Sequence, residues 1–297
     1  MRLDDEQESG NFEVQSPGSS QAGFGGGGGL GILGMIVPFV FSRFGCGGLV
    51  LLGVGALALS MCTGALNSGG GSMLTPAGQQ TPSQSTAPGE LSELQRTSLK
   101  VLGSTERRWE EIFARSGQRY TPTTLVFYSR NGQSGCGAAQ SAMGPFYCPE
   151  DKKIYIDTEF FDELKTRFNA PGDFPIAYVI AHEVGHHVQD LLGDAAKINA
   201  AQQRASRAQG NSLQVQMELQ ADCYAGVWAA NDKNLLEPGD VEEGLKAAQG
   251  IGDDTLQRAS GRAVVPESFT HGSSAQRQQW LTRGLQTGDP AQCNTFG

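Results

Sequence analysis

The chain has 297 residues, and 31 acidic against 22 Lys and Arg side chains give it a net charge of −9. That balance, with no basic patch interleaved with aromatics, argues against nucleic acid as a partner. The length allows one or two domains, and four of the six cysteines fall in the last 170 residues.

Residues 1–29 are acidic and polar and then glycine-rich, with Gly25 to Gly29 in a row. Such a composition buries too little apolar surface to fold, so a disordered tail is expected. Residues 30–66 read as a membrane segment. Leu30–Phe41 is apolar but short. After Arg43 comes Phe44–Leu66, uncharged and mostly apolar. At 1.5 Å per residue this stretch spans a bilayer core of ~30 Å. A single span at about 44–66 is the expectation. Arg43 on its N-terminal side, with Glu90 the next charge, places the N-terminus in the cytoplasm and the C-terminal part of the chain beyond the membrane. A two-span hairpin including 30–41, or a cleaved signal peptide ending near Ala56-Leu57-Ala58, are the alternatives. The long acidic leader is wrong for a signal peptide. Residues 67–91, rich in Gly, Ser, Pro and Thr, read as a flexible linker. Residues 92–297 remain for one compact domain with a good core.

Within that domain, 92–115 has apolar residues at helical spacing. Thr124–Tyr128 and Lys153–Asp157 are rich in β formers and read as strands, and Phe146-Tyr147 as part of a third. Glu159–Phe168 looks helical, 169–173 is a turn, and 174–192 is a strongly apolar helix ending at Gly193. Residues 195–209 are Ala/Gln-rich and helical, and a further helix is expected from about Val215 to Ala230. Asp240 with Glu243 reads as a capping box, and Ser273 or Ser274 caps a last helix carrying Arg277 and Trp280. Strands early and helices late make an α+β fold.

The apolar helix carries His182-Glu183-Val184-Gly185-His186. Positions i and i+4 lie about 40° apart around a helix axis, so two imidazoles there can grip one metal ion. Three of the chain's four histidines fall in this one turn. Ile176, Val179, Ile180, Val184 and Val188 argue for a buried helix, in which an imidazole needs a partner. The H-E-x-x-H pattern points to Zn²⁺ held by His182 and His186, with Glu183 as general base. A third ligand is needed. Glu218 is the best candidate, with His271 and His187 as alternatives. Asp222, one turn beyond Glu218, could take the ring N–H of a ligand histidine.

These motifs, together with Glu218-Leu-Gln-Ala-Asp-Cys223, Thr270-His-Gly-Ser-Ser274, Gly144–Pro149 and Gly288–Cys293, resemble the bacterial neutral zinc metallopeptidase family over about 96–297. H-E-x-x-H followed by E-x-x-x-D is more distantly similar to the gluzincin pattern. The resemblance implies a zincin-like, membrane-anchored metalloendopeptidase with His182, His186 and Glu218 on zinc and Glu183 as base. It further implies a bacterial inner-membrane location with the peptidase domain periplasmic or otherwise extracytoplasmic. Zincin-like folds place an edge strand beside the metal helix, where a substrate can add as a further strand. Ile154–Asp157 is the expected edge strand.

Cys46 and Cys62 lie within the apolar stretch, and Cys136, Cys148, Cys223 and Cys293 lie in the domain. An even set fits two disulfides and an oxidising compartment, and the absence of C-x-x-C argues against a structural zinc site. Four cysteines allow three pairings. Loop logic and the resemblance favour Cys136–Cys148 and Cys223–Cys293. The expected reaction is attack of zinc-activated water on a peptide carbonyl in a peptide or protein substrate. His271 is the candidate for oxyanion stabilisation, Tyr224 a weaker one, and a turn-capping role for His271 is equally open. The alternative functions are a non-catalytic zinc-binding adaptor tethered to the membrane, or a zinc hydrolase acting on a non-peptide amide such as cell-wall material.

Overall fold

In the computed structural model, which describes residues 1–15, 90–166, 172–232 and 234–296, the chain opens with strand β1 (Phe12–Val14) and helix α1 (Glu93–Arg115). Next come strands β2 (Thr124–Tyr128), β3 (Asn131–Ser134), β4 (Gly137–Gln140), β5 (Phe146–Cys148) and β6 (Lys153–Asp157). The rest is helical: α2 (Phe160–Thr166), α3 (Phe174–Leu192), α4 (Asp194–Gln202), α5 (Arg207–Asn231), α6 (Asp240–Gly250), α7 (Asp253–Ala259) and α8 (Ser274–Thr287). The α+β expectation therefore holds for the described residues.

The main sheet has the order β1-β2-β6-β5. β1 and β6 flank β2 in parallel, and β5 runs antiparallel to β6. β3 and β4 form a separate hairpin. The edge-strand expectation for Ile154–Asp157 is corrected here. β6 lies between β2 and β5, and four of its five residues are buried. Its apolar run is the mark of a strand covered on both faces. β5 is the edge.

One face of the sheet, with Leu125, Phe127, Ile154 and Ile156, packs on α1 and α3 in a core that also holds Trp109, Tyr178 and Trp228. α3 is apolar all round, and every residue from Phe174 to Val188 except His186 is buried, as expected for a helix at the centre of a core. It stops at Gly193, whose φ of 78° suits a left-handed cap. α5 starts earlier than expected, because Ser206 and Gln209 form a capping box ahead of the apolar part. α6 is capped differently from the expectation. Asp240 is its first residue and does not cap it. Its carboxylate instead accepts from the Glu237 N–H and the Met1 amine. α8 has the expected cap, with Ser273 and Gln276 in a capping box.

The disordered-tail expectation for 1–29 fails over residues 1–15, which are packed on the domain. The Met1 amine lies 3.0 Å from Glu237 Oε2 and 3.1 Å from Asp240 Oδ1. Ser9 N donates to Leu99 O at 2.9 Å, and Ser9 Oγ and Asn11 Nδ2 donate to Glu106. α1 makes room through Gly103, where a Cβ would lie 2.4 Å from Gln7 O. Composition misled because this segment is held mainly by backbone and polar bonds, with little apolar burial of its own.

The pairing of β1 with β2 also bears on topology. Through it, residues 1–15 and the domain that begins at residue 90 share one sheet. The stretch 30–66, its 44–66 span and the 67–91 linker fall outside the described residues apart from 90 and 91. Among the described residues no helix is long and apolar enough to cross a membrane.

Both expected disulfides are formed. Cys136–Cys148 ties the β3–β4 turn to β5, and Cys223–Cys293 ties α5 to the C-terminal turn. With separations of 12 and 70 residues, loop-closure entropy alone assigns them about 3 and about 4 kcal/mol.

Candidate metal centre

α3 and α5 cross closely at Gly185, where a Cβ would meet both the Cα and the carbonyl oxygen of Ala221 at 3.0 Å. This contact lets α5 bring Glu218 onto the two histidines of α3. His182 Nε2 is 3.2 Å from Glu218 Oε2, and His186 Nε2 is 3.6 Å from Glu218 Oε1. One ligand atom from each of the three residues lies within 4.8 Å of the others. Glu218 thus lies where it could serve, with His182 and His186, as the third ligand of a metal ion.

The outer faces of the histidines are held as firmly. His182 Nδ1 sits 2.8 Å from Asp222 Oδ1, the contact expected from the helical spacing. Asp222 is fully buried and receives Arg277 Nε and Nη2, both at 2.9 Å, and the Tyr178 hydroxyl at 2.6 Å. His186 Nδ1 lies 2.8 Å from Gln189 Oε1, and Gln189 in turn donates to Met217 O and Gln220 Oε1. With both Nδ1 atoms facing oxygen acceptors they keep their protons, so it is the two Nε2 atoms, on the Glu218 side, that would give up a proton to bind a metal. The resulting tautomer is the one a metal needs.

The electrostatics favour a cation. Burial opposes the charge on His182, but Asp222 and Glu218 overcome it and raise its pKa to about 10. Burial likewise opposes ionisation of Asp222, yet Arg277 and His182 hold it down at about 2. Glu218 is pulled well below the usual carboxylate value against its own burial, by His186 and His182. Glu183 goes the other way, because burial raises its pKa most. Its Oε2 is buried with no hydrogen-bond partner. Ionised Glu218 and Asp222 outnumber the one guanidinium, and this residual negative charge, which draws a second proton onto His182, would draw a metal cation in its place. The donor set, the tautomers, the residual charge and the orphaned carboxylate oxygen all fit Zn²⁺.

A cleft of about 710 Å³ opens onto this cluster. Met143, Pro145, Phe146, Phe160 and Val179 form an apolar wall, and Met217, Ile251 and Leu256 also line it. His271 is at the rim with its side chain 51% exposed. Asp253 holds its loop, one carboxylate oxygen receiving the N–H groups of Thr270, His271 and Gly272 at 2.7, 2.6 and 3.1 Å. The other oxygen lies 3.5 Å from His271 Nδ1 and raises the His271 pKa. His187 and Tyr224 are not in the cleft. Tyr224 packs edge-on against Trp109 in the core, which removes it as an oxyanion donor, and His187 binds Thr121 and Tyr147 instead of the ligand cluster.

Sequence reasoning missed Tyr178, Gln189 and Asp253, and left Arg277 without a role. Tyr178 is four residues before His182 and Gln189 three after His186, so helical spacing alone puts each beside a ligand. For Asp253 and Arg277 no such local signal exists.

A sequence profile described as "Putative neutral zinc metallopeptidase" matches residues 1–296. The chain belongs to this family. The match begins at residue 1, in keeping with the N-terminal segment being part of the folded unit. Among relatives, "Uncharacterized protein YpfJ" of Escherichia coli is 52% identical over 224 residues, covering 75% of this chain and 78% of that one. "Uncharacterized protein Mb2605" of Mycobacterium bovis and "Uncharacterized protein Rv2575" of Mycobacterium tuberculosis are each 47% identical over 190 residues, covering 60% of this chain and 63% of theirs. No solved structure matches the chain. The His182–His186–Glu218 cluster therefore stands on its own geometry.

Proposed function

We propose that the protein is a membrane-anchored zinc endopeptidase that hydrolyses peptide bonds in extended or unfolded segments. The observation that carries this is the Glu183 carboxylate, buried without a hydrogen-bond partner at Oε2 beside a preformed His182–His186–Glu218 cluster at the floor of an open cleft. Zinc held by those three side chains would supply Lewis acidity and acidify a water.

The other steps belong to the chain. Glu183 takes a proton from the attacking water and hands it to the leaving amine. Its raised pKa suits a group that must both hold and release that proton. His271, anchored by Asp253 at the rim, donates to the oxyanion. The edge strand β5 accepts an extended peptide through main-chain bonds, and the apolar wall takes its side chains. The apolar stretch within 30–66 supplies the membrane attachment. Two disulfides favour an oxidising compartment, and the proposed site of action is outside the cytoplasm.

Glu183→Gln tests the reading. The variant should keep about one zinc per chain, measured by metal analysis, and lose roughly 10²–10⁴-fold in hydrolysis of an unfolded protein substrate. Retained hydrolysis would reject the general-base assignment.

A further inference from the structure

His187 sits directly after ligand His186, yet the cluster makes no use of it. One residue further round the helix, it faces the sheet and is only 1% exposed. Its Nε2 donates to Thr121 O at 2.7 Å, which leaves Nδ1 as an acceptor. The single Tyr147 hydroxyl hydrogen is shared between two acceptors, that Nδ1 at 3.1 Å and Asp190 Oδ2, three residues along α3, at 3.2 Å. The Tyr147 and His187 rings are also in contact, with centroids 5.5 Å apart.

Tyr147 is the middle residue of β5. That strand has three residues and, among the described residues, one neighbouring strand, β6. So short an edge strand has little of its own to fix it. Its outer two side chains point to the far face of the sheet, as the period of two requires. There Phe146 stacks on Tyr155 with centroids 5.2 Å apart, and Cys148 is bonded to Cys136. Both contacts hold β5 to other parts of the sheet region. The Tyr147 side chain alone reaches the helix that carries the metal ligands.

We propose that His187, Tyr147 and Asp190 form a positioning clamp that fixes edge strand β5 against α3. The clamp sets how far a peptide backbone lying along β5 sits from the His182–His186–Glu218 cluster. This rests on the peptidase reading for its consequence, and on geometry alone for its existence. The clamp acts on substrate alignment, and neither holds metal nor moves a proton in the reaction.

The experiment uses the full chain with Tyr147→Phe, which keeps the ring and removes the hydroxyl, and Asp190→Ala as a second variant. Zinc content, amide hydrogen exchange at 146–148, and kcat and KM on a quenched-fluorescent peptide that the wild type cleaves are measured. The expected result in both variants is unchanged zinc, exchange at 146–148 faster by up to about tenfold, KM raised about fivefold and kcat within about twofold. Unchanged exchange, lost zinc, or a fall in kcat at constant KM would overturn the clamp. If the wild type cleaves no peptide, the peptidase reading fails, and exchange and zinc content still decide whether the clamp exists.

Discussion

His182 and His271 line the same cleft, and each has an aspartate facing its Nδ1, yet the two pairs are built differently. Asp222 lies 2.8 Å from His182, is fully buried and is gripped by Arg277 and Tyr178. Asp253 lies 3.5 Å from His271, whose side chain is half exposed, and it spends most of its bonding on backbone N–H groups. The first arrangement fixes an imidazole in one orientation and one tautomer. The second fixes a loop and leaves the imidazole free to meet a ligand. The same residue pair thus serves as a rigid support inside the molecule and as an adjustable donor at its rim.

The largest expected effect breaks the rigid side. Glu218→Ala should weaken zinc binding by roughly a thousandfold or more, read by competition with a chelator. His271→Ala should leave that affinity unchanged. Next comes the support itself. Arg277→Gln strands the Asp222 carboxylate in the core, and should cost about 3–5 kcal/mol in denaturant unfolding with zinc affinity lower by about 10–100-fold. A stability close to wild type would mean that Asp222 finds another partner.

On the rim, His271→Ala should lower kcat/KM about 10²-fold at constant zinc content, the cost of one oxyanion donor. An unchanged rate would leave His271 as a residue of the turn. The smallest effect is a shift in pH. The Asp253 hydrogen bond holds the His271 pKa above its ordinary value, with Glu218 adding to the rise and Arg277 and burial opposing it. The charged imidazole, and the stability it confers, is therefore fully present below about pH 6.5 and is lost as pH rises through the raised value. Asp253→Asn should move the alkaline limb of a kcat/KM profile to lower pH. No movement would show that His271 does not titrate in the reaction.

Much of the site could be read in the sequence because it lies on two helices. His182, His186, Glu218 and Asp222 occur in two i, i+4 pairs, and such spacing is a statement about geometry. Arg277 and Asp253 could not be assigned roles this way, since they reach the site from α8 and the start of α7, and no local period links them to α3. The strands β2 and β6 were legible from their β-branched and aromatic residues. Their order was not, because a short strand with an apolar centre does not say whether it has a neighbour on both sides. The β3–β4 hairpin was missed for the opposite reason: Asn131–Ser134 and Gly137–Gln140 contain no large apolar residue, and it is the pairing and the Cys136–Cys148 bond that define them. Residues 1–15 failed on composition for the same cause, since backbone hydrogen bonds leave no mark on a count of apolar side chains.

That N-terminal segment also orders the assembly of the molecule in time. Phe12 pairs with Leu125, and the segment's other partners lie on α1 and around Leu235 to Asp240. Parallel pairing over such a distance closes a long loop, which is slow to form. The segment's contacts with α1 and β2 need only the first half of the chain, whereas the Met1–Asp240 bond spans a sequence separation of 239 residues. The segment is therefore fixed in two stages, first against α1 and β2 and later against the turn at Leu235 to Asp240.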